Sequence, residues 1–287
     1  MTRRILCFDI ETIPDVEGIK KLGLVPSGLS DEDVVAHITK DRLENGKSEF
    51  LPHYLQRVWV IGCLFKDDRG LKISCIEPSN SDSTLEEAGL VKLGSVNDSD
   101  EESRIKKFFN IIEKYSPTII SWNGKGFDIP VLNYRAIVYG LSAPRFWDQG
   151  ESNRDNKFNN YINRYHRKHL DLMDILSNFS SRSFASLDHM ARLSGFPGKL
   201  GEEGSNVWNQ FLSGKEKEVK AYCETDVVNT YLMYLKYLKL TGSISNEEYQ
   251  DLISEIKNFI ANSLKKPEDL NQTKHWKKFL NQWQESG

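Results

Sequence analysis

Residues 4–12 read RILCFDIET, an apolar run of strand length interrupted by two carboxylates, Asp9 and Glu11, set two positions apart. Residues 4–10 predict a buried strand. Side chains alternate along a strand, so Asp9 and Glu11 share one face while Phe8 and Ile10 occupy the other. Two like charges this close repel, and burial pushes protons onto them. A divalent cation reverses that balance, because hard Mg2+ or Mn2+ takes oxygen ligands and holds them ionised. On these two residues alone, the pair is either a solvated strand end or half of a metal site.

Outward from this strand, RVWVIGCLF at 57–65 and LKISCI at 71–76 predict two more, joined by the turn at Asp67–Gly70 as a meander. The stretch 15–50 between first and second strands is polar and reads as loop. Ile105, Phe108, Phe109 and Ile112 follow an acidic first turn at helical spacing, which predicts a helix over 101–115. TIISWN at 118–123 predicts a buried strand, and Asp128 and Pro130 open a helix running to Gly140. Strand and helix alternate here, which predicts an α/β fold. Residues 143–169 are irregular, polar and aromatic. Helices are expected near 171–179, 186–194, 205–213 and 215–240. Ser245 and Glu248 form a capping box for a further helix, and Trp276, Phe279, Leu280 and Trp283 mark the apolar face of a last one. No repeat or low-complexity linker divides the chain. The expectation is a domain over 1–240 with a helical extension, 241–287, packed on it.

The 287 residues, 39% hydrophobic and 28% charged, suffice for a sizeable core and contain no apolar run of membrane-spanning length. Asp9 and Glu11 interrupt the N-terminal apolar stretch too early for a secretory signal, so neither export nor a membrane partner is expected. Cys7, Cys63, Cys75 and Cys223 lack metal-binding spacing and fall in apolar segments, which predicts reduced core thiols and a cytoplasmic location. A net charge of −3 argues against a protein that coats nucleic acid, but not against an enzyme that grips a few nucleotides.

Two later segments carry acids in distinctive settings. In SWNGKGFDIPVL, residues 121–132, a strand ends in a Gly-rich turn and Asp128 stands at the mouth of a helix, the position of an ordinary N-cap. Gly124 and Gly126 do not match a phosphate-binding P-loop, and instead suit a close backbone approach. In AYCETDVVNTYL, residues 221–232, Tyr222 and Asp226 lie one helical turn apart on one face, while Glu224 points away toward solvent. Taken alone, Tyr222 reads as an aromatic packed on the core and Asp226 as a surface charge.

FDIET, NGKGFDIPVL and YCETD together resemble, in order and kind, the three motifs of the DEDD superfamily of 3′-5′ exonucleases, with Tyr-x-x-x-Asp marking the tyrosine subclass. More narrowly, the chain is similar to stand-alone predicted 3′-5′ exonucleases related to the proofreading domain of family B DNA polymerases. RVWVIG, HLDLMDILSN, SLDHMARLSGFPGKLGEEGSNVW and TGSISNEEY extend the likeness over most of the chain. The resemblance implies a ribonuclease H-like fold with a central mixed sheet flanked by helices. It also implies that Asp9, Glu11, Asp128 and Asp226 hold two divalent cations, Mg2+ or Mn2+, and that Tyr222 orients or helps deprotonate the attacking water. The implied reaction releases 5′-mononucleotides from the 3′ end of single-stranded DNA, with RNA or short oligonucleotides as the alternative. Thr12, Ile13, Asn123, Lys125, Phe127, Tyr165 and Arg167 are the candidate substrate contacts.

The run FNNYINRYHRKH, 158–169, mixes rings and cations as single-strand binders do, and equally fits a solvated basic loop. Lys125 and Lys199 could touch phosphate, although a turn accounts for both. His166, His169 and His189 read as surface or packing residues. FDIET also approximates the opening motif of haloacid dehalogenase-like phosphatases, but that reading leaves Tyr222 and Asp226 without a role, and DLMD at 171–174 imitates its later acidic motif poorly. A catalytically silent nucleic-acid-binding module is the remaining alternative. The chain has no room for a polymerase domain, so coupling to replication or repair would need a partner protein.

Overall fold

A computed structural model describes residues 4–78, 100–200, 207–265 and 273–285. The N-terminal strand, β1 (Ile5–Pro14), is followed by α1 (Val16–Lys21) and α2 (Asp31–Glu44), and then by the meander of β2 (Gln56–Asp67) and β3 (Gly70–Cys75). The helix α3 (Asp100–Tyr115) leads to β4 (Thr118–Ser121), α4 (Asp128–Val138) and the single turn α5 (Pro144–Trp147). A short β5 (His169–Asp171), α6 (Leu172–Leu176), α7 (Leu187–Leu193), α8 (Val207–Leu212) and the long α9 (Glu216–Leu240) come next, and α10 (Asn246–Ser263) and α11 (Lys274–Glu285) end the described chain. The five strands form one mixed sheet in the order β3-β2-β1-β4-β5. β1 pairs antiparallel with β2 and parallel with β4, and β4 pairs parallel with β5. This is the α/β, ribonuclease H-like arrangement expected, with the motif-bearing strand in the middle.

Alternation along β1 sorts its side chains into two cores. Leu6, Phe8 and Ile10 pack with Ile105, Phe108 and Ile112 of α3 and with Ile129 and Leu132 of α4. Ile5 and Cys7 face the other layer, where Val227, Val228 and Tyr231 of α9 cover the sheet and Trp276, Phe279 and Trp283 of α11 close over α9. With the sheet on one side and α10 and α11 on the other, α9 is buried continuously from Thr225 to Leu235. Among the described residues no helix is long and apolar enough to cross a membrane. All four cysteines are buried free thiols.

Three expectations need correction. Residues 15–50 are not simply loop: α2 starts at Ser30, whose hydroxyl accepts from the Asp33 amide 3.2 Å away. Its buried residues are only Val34 and Ile38, packed with partly buried Val35 on Val16, Ile19, Leu51 and Leu55, too sparse a pattern to register as amphipathic. Residues 169–171 form an unforeseen strand, because three residues are too few to show alternation. The following helix stops at Leu176, ahead of left-handed Asn178 and Phe179. The capping box at Ser245 and Glu248 is present as read. Of the helix expected over 205–213, residues 205 and 206 lie outside the described residues.

Candidate active site

The site opens where β1 loses a neighbour. β4 pairs only with Ile5–Cys7, so beyond Cys7 that edge of β1 is free for other partners. The Ile10 amide donates to Asp128 Oδ1 at 3.0 Å. Asp128 is therefore not the helix cap its position suggested: the N-cap of α4 is Phe127, with no side-chain capping bond, and the carboxylate reaches across to β1 instead. The β1–β2 register shifts between Glu11 and Thr12, an irregularity that re-aims neighbouring side chains.

On the opposite face α9 closes against the strands. Asp9 pairs with Gly62 of β2, and a Cβ on Gly62 would lie 2.7 Å from the Cys223 sulfur. The missing side chain thus lets α9 approach. Cys223 Sγ stands 3.5 Å from the Asp9 carbonyl oxygen and 3.8 Å from Asp9 Oδ2. Ligand atoms of Asp9, Glu11 and Cys223 all lie within 4.8 Å of one another. Tyr222 and Asp226, both buried, flank Cys223 on the same helix.

These acids are electrostatically one group. Burial and then the Asp226 carboxylate push Asp9 up to about 7. Burial, followed by Asp9 and Asp226, holds Glu11 well above the usual carboxylate range. Burial and Asp9 do the same to Asp128. Burial raises Asp226 as well, against the pull of Lys199. The Tyr222 hydroxyl is driven far above the ordinary tyrosine range by burial and by Asp226, Glu11 and Asp9. Asp226 Oδ1 is buried without a hydrogen-bond partner. Four carboxylates that oppose one another's ionisation, with one orphaned oxygen among them, form a donor set that fits hard divalent cations.

Lys199, read in sequence as a turn residue, is part of this centre. Its Nζ lies 3.0 Å from Asp226 Oδ2, donates to the Tyr222 hydroxyl, and stands 4.7 Å from the Tyr222 ring centroid. The only sequence signal was a lysine next to a glycine, which is no more specific than a turn. Asp171 was likewise missed. Its two oxygens accept from the Asn123 and Lys125 amides, each at 2.9 Å, and so shape the loop ahead of Asp128. Within that loop Asn123 has a φ of 66°, and a Cβ on Gly126 would meet Asn123 Oδ1 at 2.4 Å. The close approach inferred for the glycines is the loop folding on itself.

The candidate substrate contacts divide by location. Thr12, Asn123 and Phe127 belong to the segments that carry the acids, and the Phe127 ring lies 5.3 Å from Phe50 and 5.4 Å from His53. The Thr12 hydroxyl donates to Gln56 Oε1 at 3.1 Å. Ile13 is a core residue beside Trp59, Val60 and Cys223. Lys125 Nζ donates to the Arg164 carbonyl at 3.0 Å, which ties the motif loop to the basic run. In that run Tyr165 is 71% exposed and meets Phe179 edge-on at 4.9 Å, and Arg167 is exposed, its amide held by Asn159. Of the remaining polar residues, His169 is buried on the Ser121 hydroxyl at 2.8 Å. Glu224, expected in solvent, pairs with His275 of α11 at 3.1 Å.

The raised carboxyls make metal-free stability fall with pH. Asp9 binds its proton more tightly folded than unfolded, so its contribution is full below about pH 4 and lost as pH rises through about 7. In chelator, the melting temperature is expected to drop by several degrees between pH 5 and 8. Excess Mn2+ should remove most of that drop. A flat chelator profile would mean the four acids do not repel as a group.

No curated protein matches the chain. Residues 48–283 match the family model described as "Predicted 3'-5' exonuclease related to the exonuclease domain of PolB", a span that holds Asp128, Lys199, Tyr222 and Asp226 and begins after β1. On that match, with the mixed sheet and the acid cluster at its centre, the chain belongs to this family of predicted 3′-5′ exonucleases.

Proposed function

We propose that the protein removes 5′-mononucleotides from the 3′ end of single-stranded DNA, as a member of the tyrosine subclass of DEDD exonucleases. The observation that carries this reading is the convergence of Asp9, Glu11, Asp128 and Asp226 from three distant segments, with Tyr222 beside them. Asp9, Glu11, Asp128 and Asp226 would hold two Mg2+ or Mn2+ ions, which supply the positive charge that keeps the acids ionised and lowers the pKa of an attacking water.

The chain's own groups account for the rest. Burial and the neighbouring carboxylates of the metal-free site oppose phenolate, so Tyr222 would orient the water through its hydroxyl, the ions supplying most of the activation. Lys199 brings a positive charge to the Tyr222 hydroxyl and Asp226, where it offsets negative charge developing on the phosphate. Thr12, Asn123 and Phe127 border the acids and would receive the terminal nucleotide, Phe127 offering a ring face for stacking. Tyr165, with Arg167 and Lys125, would guide the strand further out.

The phosphatase alternative would draw its later acidic motif from DLMD, where Asp171 instead accepts from the Asn123 and Lys125 amides, and it leaves Tyr222 and Asp226 without a role. The test is incubation with 5′-labelled single-stranded DNA and RNA of equal sequence, with Mg2+, Mn2+ or chelator. Stepwise shortening of the DNA from its 3′ end in either metal, abolished by chelator, is expected. Faster shortening of the RNA would move the reading to an exoribonuclease, and binding without cleavage would leave a silent module. Tyr222→Phe should lower kcat roughly 10–100-fold with little change in KM, since only the placement of the water is lost.

A further inference from the structure

The segment that presents Lys199 has no secondary structure of its own, yet its backbone is unusually fully engaged. Four consecutive carbonyls each accept from a side chain. Gln282 Nε2 of α11 donates to the Pro197 carbonyl at 2.9 Å, and Asn229 Nδ2 of α9 donates to that of Gly198 at 2.9 Å. Arg192 Nη2 donates to the Lys199 carbonyl at 3.1 Å, and Lys278 Nζ of α11 donates to that of Leu200. The Lys199 amide is itself held by Asp188 Oδ1 at 2.7 Å. Gly198 has a φ of 69°, and a Cβ there would stand 2.5 Å from Asp188 Oδ1, so the turn that aims Lys199 is specific to glycine.

Two of these four donors come from the last helix, which is anchored independently of them. Trp276, Phe279 and Trp283 are buried in the core, and the Trp283 ring meets Phe196, at the start of the segment, edge-on at 5.8 Å. Lys278 is exposed and Gln282 partly buried, and neither belongs to the apolar face by which α11 packs.

We infer that α11 is a positioning element of the active site: Gln282 and Lys278 hold the 197–200 backbone so that the Lys199 ammonium stays on the Tyr222 hydroxyl and Asp226. A lysine left on a free loop would spread over many rotamers, and its ammonium would return to water. The bonds from α11 remove that freedom at the backbone, more than 70 residues along the chain from the group they place. The role of Lys199 in turnover rests on the proposed nuclease reading, whereas its placement by α11 does not.

The experiment separates the two. Lysine acylation, read by mass spectrometry, is compared in wild type, Gln282→Ala/Lys278→Met and Lys278→Arg, with Lys66, paired to Glu255 at 2.7 Å, as internal reference. Labelling of Lys199 relative to Lys66 should rise about tenfold in the double variant, the scale of losing one or two such hydrogen bonds, and stay at the wild-type level in Lys278→Arg. On single-stranded DNA the double variant should lose about tenfold in kcat with KM within about twofold, and lose nothing further in a Lys199→Met background. Unchanged labelling would overturn the inference, as would a kcat loss that persists in the Lys199→Met background. If wild type cleaves no nucleic acid the nuclease reading fails, and the labelling still decides whether α11 places Lys199.

Discussion

Asp9→Asn should abolish 3′-end hydrolysis, by about 10³-fold or more, while the metal-free protein melts higher than wild type at pH 8. The two effects have one cause. Asp9 shares its charge environment with Glu11 and Asp226 on the strand face covered by α9, and its raised pKa records the cost of ionising it there. At pH 8 the wild-type carboxylate is charged and repels its neighbours. Asparagine keeps the shape and removes the charge, which should return roughly 1–3 kcal/mol after allowance for solvent screening, or several degrees of melting temperature. With Mn2+ the order should reverse, because wild type then gains from binding and the variant has lost a ligand. The measurement is a pair of melts per protein, in chelator and in Mn2+, beside the hydrolysis assay. A variant several degrees less stable in chelator would make Asp9 a structural residue, and one with full activity would put the chemistry elsewhere.

How much of this centre was legible in the sequence depends on how far each signal is local. Asp9 and Glu11 were readable because strand period fixes their common face, and Tyr222 and Asp226 because helical period fixes theirs. The meander, α3 and the capped α10 were readable for the same reason, each having several apolar positions at one period, whereas α9, buried on both sides, was readable as a long helix-length segment without Pro or Gly. What failed were groups whose meaning lies in a distant partner. Asp128 has the sequence setting of a cap, and only the free edge of β1 next to α4 turns it toward Ile10. Asp171 looks like the start of a helix, and it does accept from the Asp174 amide, but the same carboxylate also shapes a loop 46 residues earlier. Lys199 has no periodic context, and its position is set by α7, α9 and α11 together. β5 and α2 failed differently, through too few residues or too few apolar ones to establish a period.

Glu101→Ala should be the most destabilising single change considered, at about 3–5 kcal/mol. Glu101 is 3% exposed at the start of α3, and its carboxylate accepts from Arg135 Nε and Nη2, each at 2.8 Å. It also accepts from Arg57 Nε at 3.0 Å, the Val58 amide at 2.7 Å and the Tyr139 hydroxyl at 2.6 Å. Arg135 Nη1 in turn donates to Asp15 Oδ2 at 2.7 Å, just past the end of β1. Alanine leaves the buried Arg135 guanidinium with Asp15 as its remaining carboxylate, so the cost is mainly an uncompensated charge and not the worth of one salt bridge. Glu101→Ala/Arg135→Met should therefore recover part of the loss, which a simple sum of the two single changes would not predict. The consequence reaches the site, because Arg135 lies two turns along the helix that begins with Asp128. Loosening α4 at its far end should let Asp128 drift from the Ile10 amide and lower kcat about tenfold even well below the melting transition. Chemical denaturation of the two singles and the double, with hydrolysis at 20 °C, tests both halves. If Glu101→Ala loses under about 1 kcal/mol, or loses stability with kcat intact, the brace between α3, α4 and the end of β1 does not set the position of Asp128.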